Sequence, residues 1–554
     1  MPRQKDGLPV NSLSGCVRPR SPEGGEDGTI SKKAAKKAEA KAKKEAEKAR
    51  RAAERAAAAA ASGSQAQTED LAKDNYGQET HETKLSPDVV EINLKTLGEE
   101  HVGKKVELRA WIQNARMQSA KIAFVELREE GNWSIQDVVA ASPEGTPVSR
   151  PMVKWVGSIN PESFVVVEGT VQKPLEPVKS CRVSNYELHI TKCFIHPAAP
   201  AVLGMTLAAA NRPIANFSDE DVPVDQGVEK LSIASAGEPA GIPAASMLTH
   251  LDNIVIHKRS VVQQVIADIR AEMKELYRFY LRYHGFKEFQ PPCLIAAASE
   301  GGANVFRLPY FEKDAYFAQS PQFYKQIEIA GGRKSVFSIG PVFRAENSNT
   351  PRHMTEFTGL DMEMEIKKDY REVLTSSFTC SGTSKERCAD EIALVRSVYP
   401  SEEFLLPEPG KEVRLTFAEG QKLLREEGPE EFRNKYNTDF YVLDKFPESA
   451  RPFYAKEDPT NRKVTNAYDL FMRDQEICSE AAYQRPGRAG GADPHQGIDP
   501  ASPGIKEDVD IFRGGVPAHG GGGIGLDRVV PWYLNLPSVH LAAFYPRTPK
   551  RLLP

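Results

Sequence analysis

A polar turn between two apolar runs, around Phe343–Glu365, most constrains how this chain can fold. The flanking segments Val336–Phe343 and Glu356–Glu365 are apolar with partial alternation, which is the pattern of β-strands. Asn347–Pro351 lies between them and is made of Asn, Ser, Thr and Pro, a composition that favours a turn. The sequence therefore predicts an antiparallel pair of strands joined by a polar loop.

The predicted hairpin carries side chains suited to a ligand that is both anionic and flat. Arg344, Arg352 and His353 can reach one ligand, with Glu346 and Phe357 nearby. An Arg fork binds phosphate bidentately, and an aromatic face stacks on a planar base. This combination predicts a nucleotide site; the alternative is an ordinary surface hairpin with scattered charges.

Phe343–Glu365 resembles motif 2 of the class II aminoacyl-tRNA synthetases. Within subclass b of this family it is similar to the aspartyl enzymes, which we call the aspartyl branch, of the cytoplasm of eukaryotes. The resemblance implies that Arg344 is catalytic and bridges the α-phosphate of ATP and the substrate carboxylate. It also implies that Glu346 recognises the adenine amino group and that Phe357 stacks on adenine. The other implied ATP-binding residues of this motif are Ala345, Met354, Arg352 and His353, the last two at the β- and γ-phosphates.

Two earlier stretches resemble the amino-acid pocket of the aspartyl branch. Ser299–Phe306 is a glycine-rich loop, and Gln319–Gln326 follows it. By resemblance, Glu300 holds the α-ammonium of aspartate and Lys325 supplies a cation for the side-chain carboxylate. The full implied set of substrate-binding residues is Glu300, Gln322, Lys325, Arg344, Asp361 and Ser479.

The glycine run Gly520–Arg528 resembles motif 3 of the family, although a glycine run alone is also typical of flexible linkers. Glycine permits close approach of the backbone to a nucleotide. Arg528 is the second implied catalytic residue, at the γ-phosphate, and Asp527 stands where the family has Glu. The implied ATP-binding residues here are Gly525, Leu526, Asp527 and Arg528.

Tyr468–Arg473 is a further block that resembles the family, and it precedes two implied metal ligands, Glu476 and Ser479. By resemblance these residues hold Mg²⁺ with ATP, and a hard cation suits carboxylate and phosphate oxygens. In adenylate formation the carboxylate of the amino acid attacks the α-phosphorus of ATP. Catalysis is then positioning and charge neutralisation by Arg and Mg²⁺, which requires no protein nucleophile.

Composition divides the 554 residues into a tail and two domains joined by a hinge. We expect a basic extension and linker at 1–88, an OB-fold anticodon-binding domain at 89–198, a hinge at 199–247 and a class II catalytic domain at 248–554. The expected fold class is α+β: a β-barrel, then an antiparallel sheet flanked by helices, all preceded by a disordered or helical basic tail.

The OB-fold prediction starts from five short β-like runs separated by turns, which suit a barrel that binds single-stranded nucleic acid. The runs are Lys105–Ile112, Ile122–Leu127, Asp137–Ala141, Phe164–Gln172 and Tyr186–Phe194. The resemblance implies that Phe124 stacks on an anticodon base and that Gln136 and Glu187 read base edges. Taken singly, such residues are more often core or solvated.

The helical spacing of Val261–Tyr283, followed by Pro292, resembles motif 1, the dimer element of the family. It implies a homodimer; a plain core helix, and hence a monomer, is the alternative. The seven cysteines form no CxxC pair, which favours a reducing compartment, and no apolar run is long enough to span a membrane. We therefore expect a cytoplasmic protein with no membrane partner, and the resemblance implies that its partners are tRNA(Asp), L-aspartate and ATP, with no DNA partner.

The segment after Ser479 departs from the family. Where the family reads Gly-Ala-Gln-Arg, this chain has Glu480-Ala481-Ala482-Tyr483, so the Arg that binds the aspartate side chain is missing. Discrimination of aspartate from asparagine rests on charge. The principal reading is an aspartate–tRNA ligase; the alternatives are a tRNA-binding paralogue with impaired catalysis and an enzyme specific for asparagine.

Two stretches lack the periodicity of the helices expected there, Thr375–Ser384 and Gln484–Gln496. Both can be written in codons whose neighbouring frame encodes a helix-forming, apolar-rich run. We hypothesise paired shifts of reading frame, so that sequenced cDNA will encode such helices and an Arg near position 483. A cDNA that encodes Glu480–Gln496 unchanged contradicts this and favours the impaired paralogue.

The tail provides a second prediction. Ser31–Ala61 holds eleven Lys and Arg residues against four Glu, a net charge of +7, and nearly all its other residues are Ala. It resembles the lysine-rich extensions of fungal and animal synthetases; the alternative is a solubilising tail. Because basic helices bind nucleic acid by counterion release, deletion of 1–61 will weaken tRNA binding and flatten its dependence on salt. Adenylate formation, measured in parallel, will be nearly unchanged; an unchanged salt slope leaves only the solubilising role.

Overall fold

The computed structural model describes residues 70–79, 89–131, 133–196, 198–215, 244–296, 305–373, 387–408, 411–426, 431–451, 455–482, 506, 510–511 and 514–553. The basic tail, Glu300, Thr375–Ser384 and Tyr483–Gln496 lie outside these residues. The chain divides into two compact units, Met1–Leu71 and Ala72–Pro554, and the elements described here belong to the second.

The first half of this unit is a closed barrel. Its strands are β1 (Tyr76–Gln78), β2 (Val90–Glu91), β3 (Lys105–Ser119), β4 (Ile122–Arg128), β5 (Ser134–Ala140), β6 (Phe164–Gln172) and β7 (Val183–Ile195). The order is β1-β7-β5-β4-β3-β2, and β6 closes the ring by pairing with both β3 and β7. Five strands thus form the ring, as predicted. The short β1 comes from the predicted linker and pairs with β7 in parallel.

Alternating burial builds the barrel core. Along β3, Val106, Leu108, Ala110 and Ile112 are all fully buried, with more exposed residues between them. Helix α1 (Arg150–Val156) begins where the Ser149 side chain accepts a hydrogen bond from the backbone N–H of Met152, and it closes one side of the core. Each fully buried Val or Leu contributes roughly 1.5–3 kcal/mol to such a core.

Asp137 is an exception in this core. The side chain is fully buried on β5, and neither carboxylate oxygen has a hydrogen-bond partner among the described residues. Burial, and then the charges of Glu126 and Glu187, raise the pKa of Asp137 well above its ordinary value. Burial therefore favours the protonated, uncharged form of this carboxyl group in the folded barrel.

Asp137→Asn will make the stability of the barrel less dependent on pH. Above about pH 4 the unfolded chain releases the Asp137 proton while the folded chain keeps it, so the parent loses stability as pH rises. The variant has no group that titrates at this position and therefore lacks this loss. Thermal unfolding from pH 4 to 8 checks this, with the exposed Glu144→Gln as control. Parallel pH profiles for the parent and Asp137→Asn would contradict it.

The second half is built on a larger sheet. Its strands are β8 (Lys287–Glu288), β12 (Ser335–Phe343), β13 (Glu356–Glu365), β14 (Val413–Thr416), β15 (Phe440–Asp444), β16 (Ala467–Met472), β17 (Gln475–Ala482) and β18 (His519–Gly525). The order of strands in this larger sheet is β14-β15-β16-β17-β18-β13-β12-β8. Its pairs are antiparallel except at the two edges, where β14 with β15 and β12 with β8 are parallel. A separate small sheet is formed by β9 (Leu294–Ile295), β10 (Arg307–Tyr310) and β11 (Lys313–Phe317).

Helices pack around the second half. They are α2 (Leu207–Ala210), α3 (Met247–Asp252), α4 (Ile254–Arg259), α5 (Val261–Tyr283), α6 (Gln322–Ala330), α7 (Ala389–Val398), α8 (Phe417–Glu426), α9 (Glu431–Tyr436) and α10 (Leu526–Leu534). The buried faces of α5, α7 and α10 share one apolar core with the central strands. The predicted α+β class is confirmed, and so is the hairpin, since β12 pairs with β13 from Ser335↔Met364 to Phe343↔Glu356.

The glycine run is a strand and not a flexible linker. Strand β18 lies at the sheet centre, between β13 and β17. A Cβ on Gly523 would stand 2.7 Å from Oδ1 of Asp361, and one on Gly521 would collide with the carbonyl oxygen of Met362. Glycine is therefore required here by the packing of the sheet itself. Within the described part of the chain, no helix is long and apolar enough to cross a bilayer.

Candidate active site

A cavity of about 390 Å³ lies against β13, β17 and β18, a size that suits a small-molecule ligand. Many predicted site residues line it: Gln322, Lys325, Arg344, Glu346, Arg352, His353, Met354, Phe357, Asp361, Glu476, Ser479, Gly525, Asp527 and Arg528. Ala345 and Leu526 are not among the lining residues, and Leu526 is fully buried in the core. The structure thus brings most of the predicted nucleotide and amino-acid residues into one cavity.

One end of the cavity is organised by a row of residues across the sheet. Asp469 on β16 is registered with Ser479 on β17, Ser479 with Gly523 on β18, and Gly523 with Asp361 on β13. Because Gly523 has no side chain, it forms a floor between Ser479 and Asp361. The side chains of Ser479 and Asp361, which form the walls of this end of the cavity, therefore face each other across a strand that has no side chain at this position.

Lys325 belongs to the wall formed by Asp361. It projects from α6, is 1% exposed, and places Nζ 3.4 Å from Oδ1 of Asp361 and 3.7 Å from Oε2 of Glu363. Burial by itself lowers the pKa of Lys325, but the attraction of the two carboxylates outweighs it and raises the pKa above its usual value. The ammonium group therefore stays charged in the buried wall.

The other end of the cavity carries the hairpin residues. The guanidinium of Arg344 lies 5.7 Å from the ring centre of Phe357. Arg528, in the first turn of α10, donates from Nη1 to the carbonyl oxygen of Glu476 at 3.0 Å and lies 3.8 Å from its carboxylate. Cationic side chains thus project from both the hairpin and the helix N-terminus.

His353 is held in the loop between the strands. Its Nδ1 lies 2.6 Å from Oγ1 of Thr350 and 3.2 Å from Oγ of Ser348. Burial, with the neighbouring Arg528, Arg352 and Arg344, lowers the pKa of His353 despite the opposing effect of Glu346. The neutral form of the imidazole is therefore favoured near pH 7.

Asp527 is engaged inside the protein. Its carboxylate accepts from Nη1 of Arg270 at 2.6 Å, from Nη2 of Arg270 at 3.2 Å, and from the backbone N–H of Thr358 at 2.7 Å. Arg270 comes from α5, is 5% exposed, and also donates to Oγ1 of Thr358 at 2.8 Å. These contacts tie the first turn of α10 to β13 and α5. Arg270 was not predicted from the sequence, where its signal is one charge within the apolar stripe of Ile266, Ile269 and Met273.

Arg451 lines the cavity and was also missed. It precedes β16 in a loop, where sequence spacing carries no signal, and its side chain is 10% exposed. Nη1 donates to Oγ of Ser479 at 2.6 Å, and Nη2 lies 2.5 Å from Oδ2 of Asp469. Its guanidinium is 3.7 Å from the ring centre of Phe446. The wall opposite Lys325 therefore also holds a cation.

Glu476 is a cavity-lining carboxylate of the kind that binds a metal ion. Burial, and then the nearby charge of Asp469, raise the pKa of Glu476. The described residues contain no group of three or more His, Cys, Asp or Glu side chains that could hold a metal. Mg²⁺ commonly binds through one or two carboxylates and the phosphates of its substrate, so the donors present fit that ion.

The predicted anticodon residues lie on the barrel, away from the cavity. Gln136 on β5 is registered with Glu126 on β4 and with Glu187 on β7, and all three side chains are partly exposed. Phe124, two residues before Glu126, has the guanidinium of Arg116 5.3 Å from its ring centre. Because residues two apart on a strand share a face, Phe124, Gln136 and Glu187 lie on one face of the barrel.

A closed five-stranded barrel followed by an antiparallel sheet, with a cationic cavity over a glycine strand, is the architecture of a class II tRNA synthetase. The family model for class II tRNA synthetases (D, K and N) matches residues 246–549. The human cytoplasmic aspartate–tRNA ligase is 39% identical over 510 residues, covering 88% of this chain and 96% of that protein. The chain therefore belongs to the class II tRNA synthetases of the D, K and N group.

Solved structures agree. A crystal structure of a putative aspartyl-tRNA synthetase from Leishmania major Friedlin aligns with a TM-score of 0.73 and 31% identity, covering 86% of this chain and 98% of that one. The asparaginyl-tRNA synthetase of Pyrococcus horikoshii, complexed with asparaginyl-adenylate, aligns with a TM-score of 0.66 and 26% identity, covering 84% and 99%. The fold is thus shared by both amino-acid specificities, and the sequence similarity is higher on the aspartyl side.

Proposed function

We propose that this chain is an aspartate–tRNA ligase, which activates L-aspartate with ATP and transfers it to the 3′ end of tRNA(Asp). The observation that carries the proposal is the buried, charged Lys325 at one end of a cavity whose other end is lined by Arg344, Arg352 and Arg528. A cation beside the amino acid suits a substrate with a side-chain carboxylate, and the Arg cluster suits a triphosphate. The named relatives support the same function.

In this proposal the two ends of the cavity position the two reactants. Arg344 lies on the hairpin where it reaches both the α-phosphate and the attacking carboxylate, and it neutralises the charge that grows in the transition state. Phe357 offers its ring to adenine, and Arg528 binds the γ-phosphate. Asp527 acts by holding the first turn of α10, since its described contacts are to Arg270 and Thr358.

We assign Glu476 as the residue that holds Mg²⁺, together with phosphate oxygens. Mg²⁺ there would neutralise part of the triphosphate charge. Ser479 suits the amino-acid end better, because its hydroxyl accepts from Nη1 of Arg451 at 2.6 Å and that cation opposes a metal at the same oxygen. Glu300, Gln322 and Asp361 complete the proposed aspartate site.

We place tRNA recognition on the barrel face of Phe124, Gln136 and Glu187, with Phe124 stacking on a base and the other two reading base edges. The three residues share one partly exposed face, which supports this role. The basic tail would add binding through phosphates without sequence preference.

A homodimer in the cytoplasm completes the proposal. Phe279 and Tyr283 on α5 are 60% and 79% exposed, and their rings stack with centres 6.4 Å apart. Large exposed aromatic side chains on one helix support an interface there. Relatives that are 39% identical to this chain are named as cytoplasmic enzymes, which supports the location.

Arg344→Ala and Arg528→Ala will each reduce aspartate-dependent pyrophosphate exchange by at least ~10²-fold, because each removes a cation from the phosphate end of the cavity. Binding of tRNA, measured separately by filter retention, will stay near the parent level since the barrel face is untouched. The control is Arg333→Ala, which removes a half-exposed Arg that pairs with Glu328 outside the cavity.

The same assay separates the alternatives when it is run with aspartate, with asparagine and with no amino acid. Exchange with asparagine alone favours the asparaginyl reading, and no exchange with tRNA binding intact favours the impaired paralogue. Activity near the parent level in either Arg variant would remove that residue from the catalytic site.

A further inference from the structure

We propose that Lys258 and Tyr545 form a further contact surface for tRNA, which binds the sugar–phosphate backbone between the anticodon and the 3′ end. This inference rests on the proposed function and adds to it a binding site outside both the cavity and the barrel face. The observation behind it is a lysine ammonium that lies against two exposed aromatic rings and has no carboxylate partner among the described residues.

The surface joins two segments that are distant in the sequence. Lys258 lies in the last turn of α4, and its Nζ is 5.1 Å from the ring centre of Phe544 and 5.0 Å from that of Tyr545. The two aromatic residues follow α10 in the chain and are 44% and 54% exposed. Aromatic rings attract a cation but do not neutralise its charge. Lys258, Phe544 and Tyr545, which we call the C-terminal patch, therefore present a positive charge beside exposed rings.

The charge of Lys258 is not balanced within the described part of the chain. Burial, and then the charge of Arg270, lower the pKa of Lys258 to about 8. The acidic residues on the neighbouring helices are paired with other cations. Asp252 of α3 binds Arg551 at 2.8 Å, and Asp527 of α10 binds Arg270 at 2.6 Å. An anion that approaches the patch from solvent therefore supplies the attraction that the neighbouring carboxylates do not, and it favours the charged form of the lysine.

On one side the patch is continuous with the barrel. Arg259, the residue after Lys258, binds the carboxylate of Glu162 in the barrel at 2.9 Å. Its guanidinium also lies 5.1 Å from the ring centre of Trp111 on β3. The turn of α4 that carries Lys258 is thus attached to the domain that carries the proposed anticodon face.

On the other side the patch is continuous with the cavity. Ala543, next to the patch in the chain, packs in one small apolar cluster with Met354 and Phe357, which line the cavity. The carbonyl oxygen of Arg547 accepts from the backbone N–H of Thr355 at 2.9 Å. A tRNA with its anticodon on the barrel and its 3′ end in the cavity spans the region between them, so its backbone is the anion that the patch would meet.

The chemistry of the patch suits a nucleic-acid backbone. Lysine and tyrosine side chains are common donors to phosphate oxygens, and such contacts position a nucleic acid without reading its sequence. Arg547, two residues after Tyr545, adds a cation whose described side-chain contact is with a neutral group, the carbonyl oxygen of Leu553 at 3.4 Å. Two cations beside a tyrosine hydroxyl therefore favour phosphate groups.

A second copy of this chain is the other candidate for the patch, and the exposed aromatic residues of α5 make it less favourable. Phe279, in the proposed dimer surface, lies roughly 27 Å along α5 from its first residue, Val261. Lys258 precedes that first residue by three positions. The patch and the proposed dimer surface are thus at opposite ends of the same helix.

Filter retention of tRNA(Asp) by the full chain, over a series of salt concentrations, tests the assignment. Lys258→Met keeps the apolar stem of the side chain and removes its charge. We expect the Kd to rise roughly 3–10-fold and the slope of log Kd against log salt to become less steep by about 1, as for the loss of one phosphate contact. A tRNA with another anticodon will lose affinity by the same factor, because the backbone carries no sequence information. Lys258→Arg will stay near the parent.

Lys422→Met is the matched control, since it removes an exposed lysine from α8, which packs on the edge strand β14. It will leave the salt slope unchanged. Pyrophosphate exchange with aspartate, measured without tRNA, checks that the cavity is intact in each variant. If Lys258→Met loses exchange and tRNA binding to the same extent, Lys258 supports the fold and the proposal is wrong.

Two other outcomes would overturn the proposal. One is a Kd and a salt slope for Lys258→Met that match those of the parent. The other is a smaller particle for Lys258→Met in sedimentation, which would assign the patch to contact between copies of the chain. A parent chain that does not bind tRNA(Asp) contradicts the proposed function itself, and this result is distinct from a parent that binds tRNA(Asp) and a Lys258→Met variant that binds it equally well.

Discussion

The close approach of the glycine strand β18 to its neighbour β13 is the constraint on which the site depends. Any side chain on Gly521 would collide with β13, and one on Gly523 would stand within 2.7 Å of Asp361. Because β18 has no side chains at these positions, its backbone forms the base of the cavity at the centre of the sheet. Side chains of the neighbouring strands β13 and β17 form the two sides of the cavity. The cavity is thus a consequence of sheet packing, and the charged residues around it are placed by strand register more than by local sequence.

The parts of the fold that follow local rules were predictable from the sequence. Alternation predicted β12 and β13, and the turn between them, because apolar side chains on one face of a strand must meet the core. The resemblance to the family then identified most of the cavity residues. Strand ends were less predictable: β3 runs to Ser119, seven residues past the predicted Ile112, because its far half pairs with β4 and needs no apolar pattern to do so.

Contacts between distant segments could not be predicted in the same way. Arg451 is 28 residues from Ser479, and Arg270 is 257 residues from Asp527, so no local spacing links either pair. The charge balance around Lys325 was also beyond the sequence, since the second carboxylate, Glu363, reaches Nζ only after α6 packs on β13. Register and packing, and not residue type, decide which charges face each other.

Ion pairs of Glu162 also connect the barrel to the segment that leads into the second half of the chain. Glu162, in the turn before β6, binds Arg128 of β4 and Arg259 at the end of α4, each at 2.9 Å. Arg128 and Glu162 are buried, so removing Glu162 would leave the charge of Arg128 uncompensated, at a cost of about 3–5 kcal/mol. The barrel is therefore fixed to the segment that leads into α5.

Helix α5 starts two residues after Arg259 and carries Gln264 and Arg270. The side chain of Gln264 accepts a hydrogen bond from the backbone N–H of Gly131 in the barrel at 2.6 Å. Arg270 in turn holds Asp527 at the start of α10, the helix of Arg528. Helix α5 thus contacts both the barrel and the first turn of α10, where Arg528 lies. These contacts describe one arrangement of the barrel face of Phe124, Gln136 and Glu187 and the cavity; a switch would require a second arrangement of the same contacts.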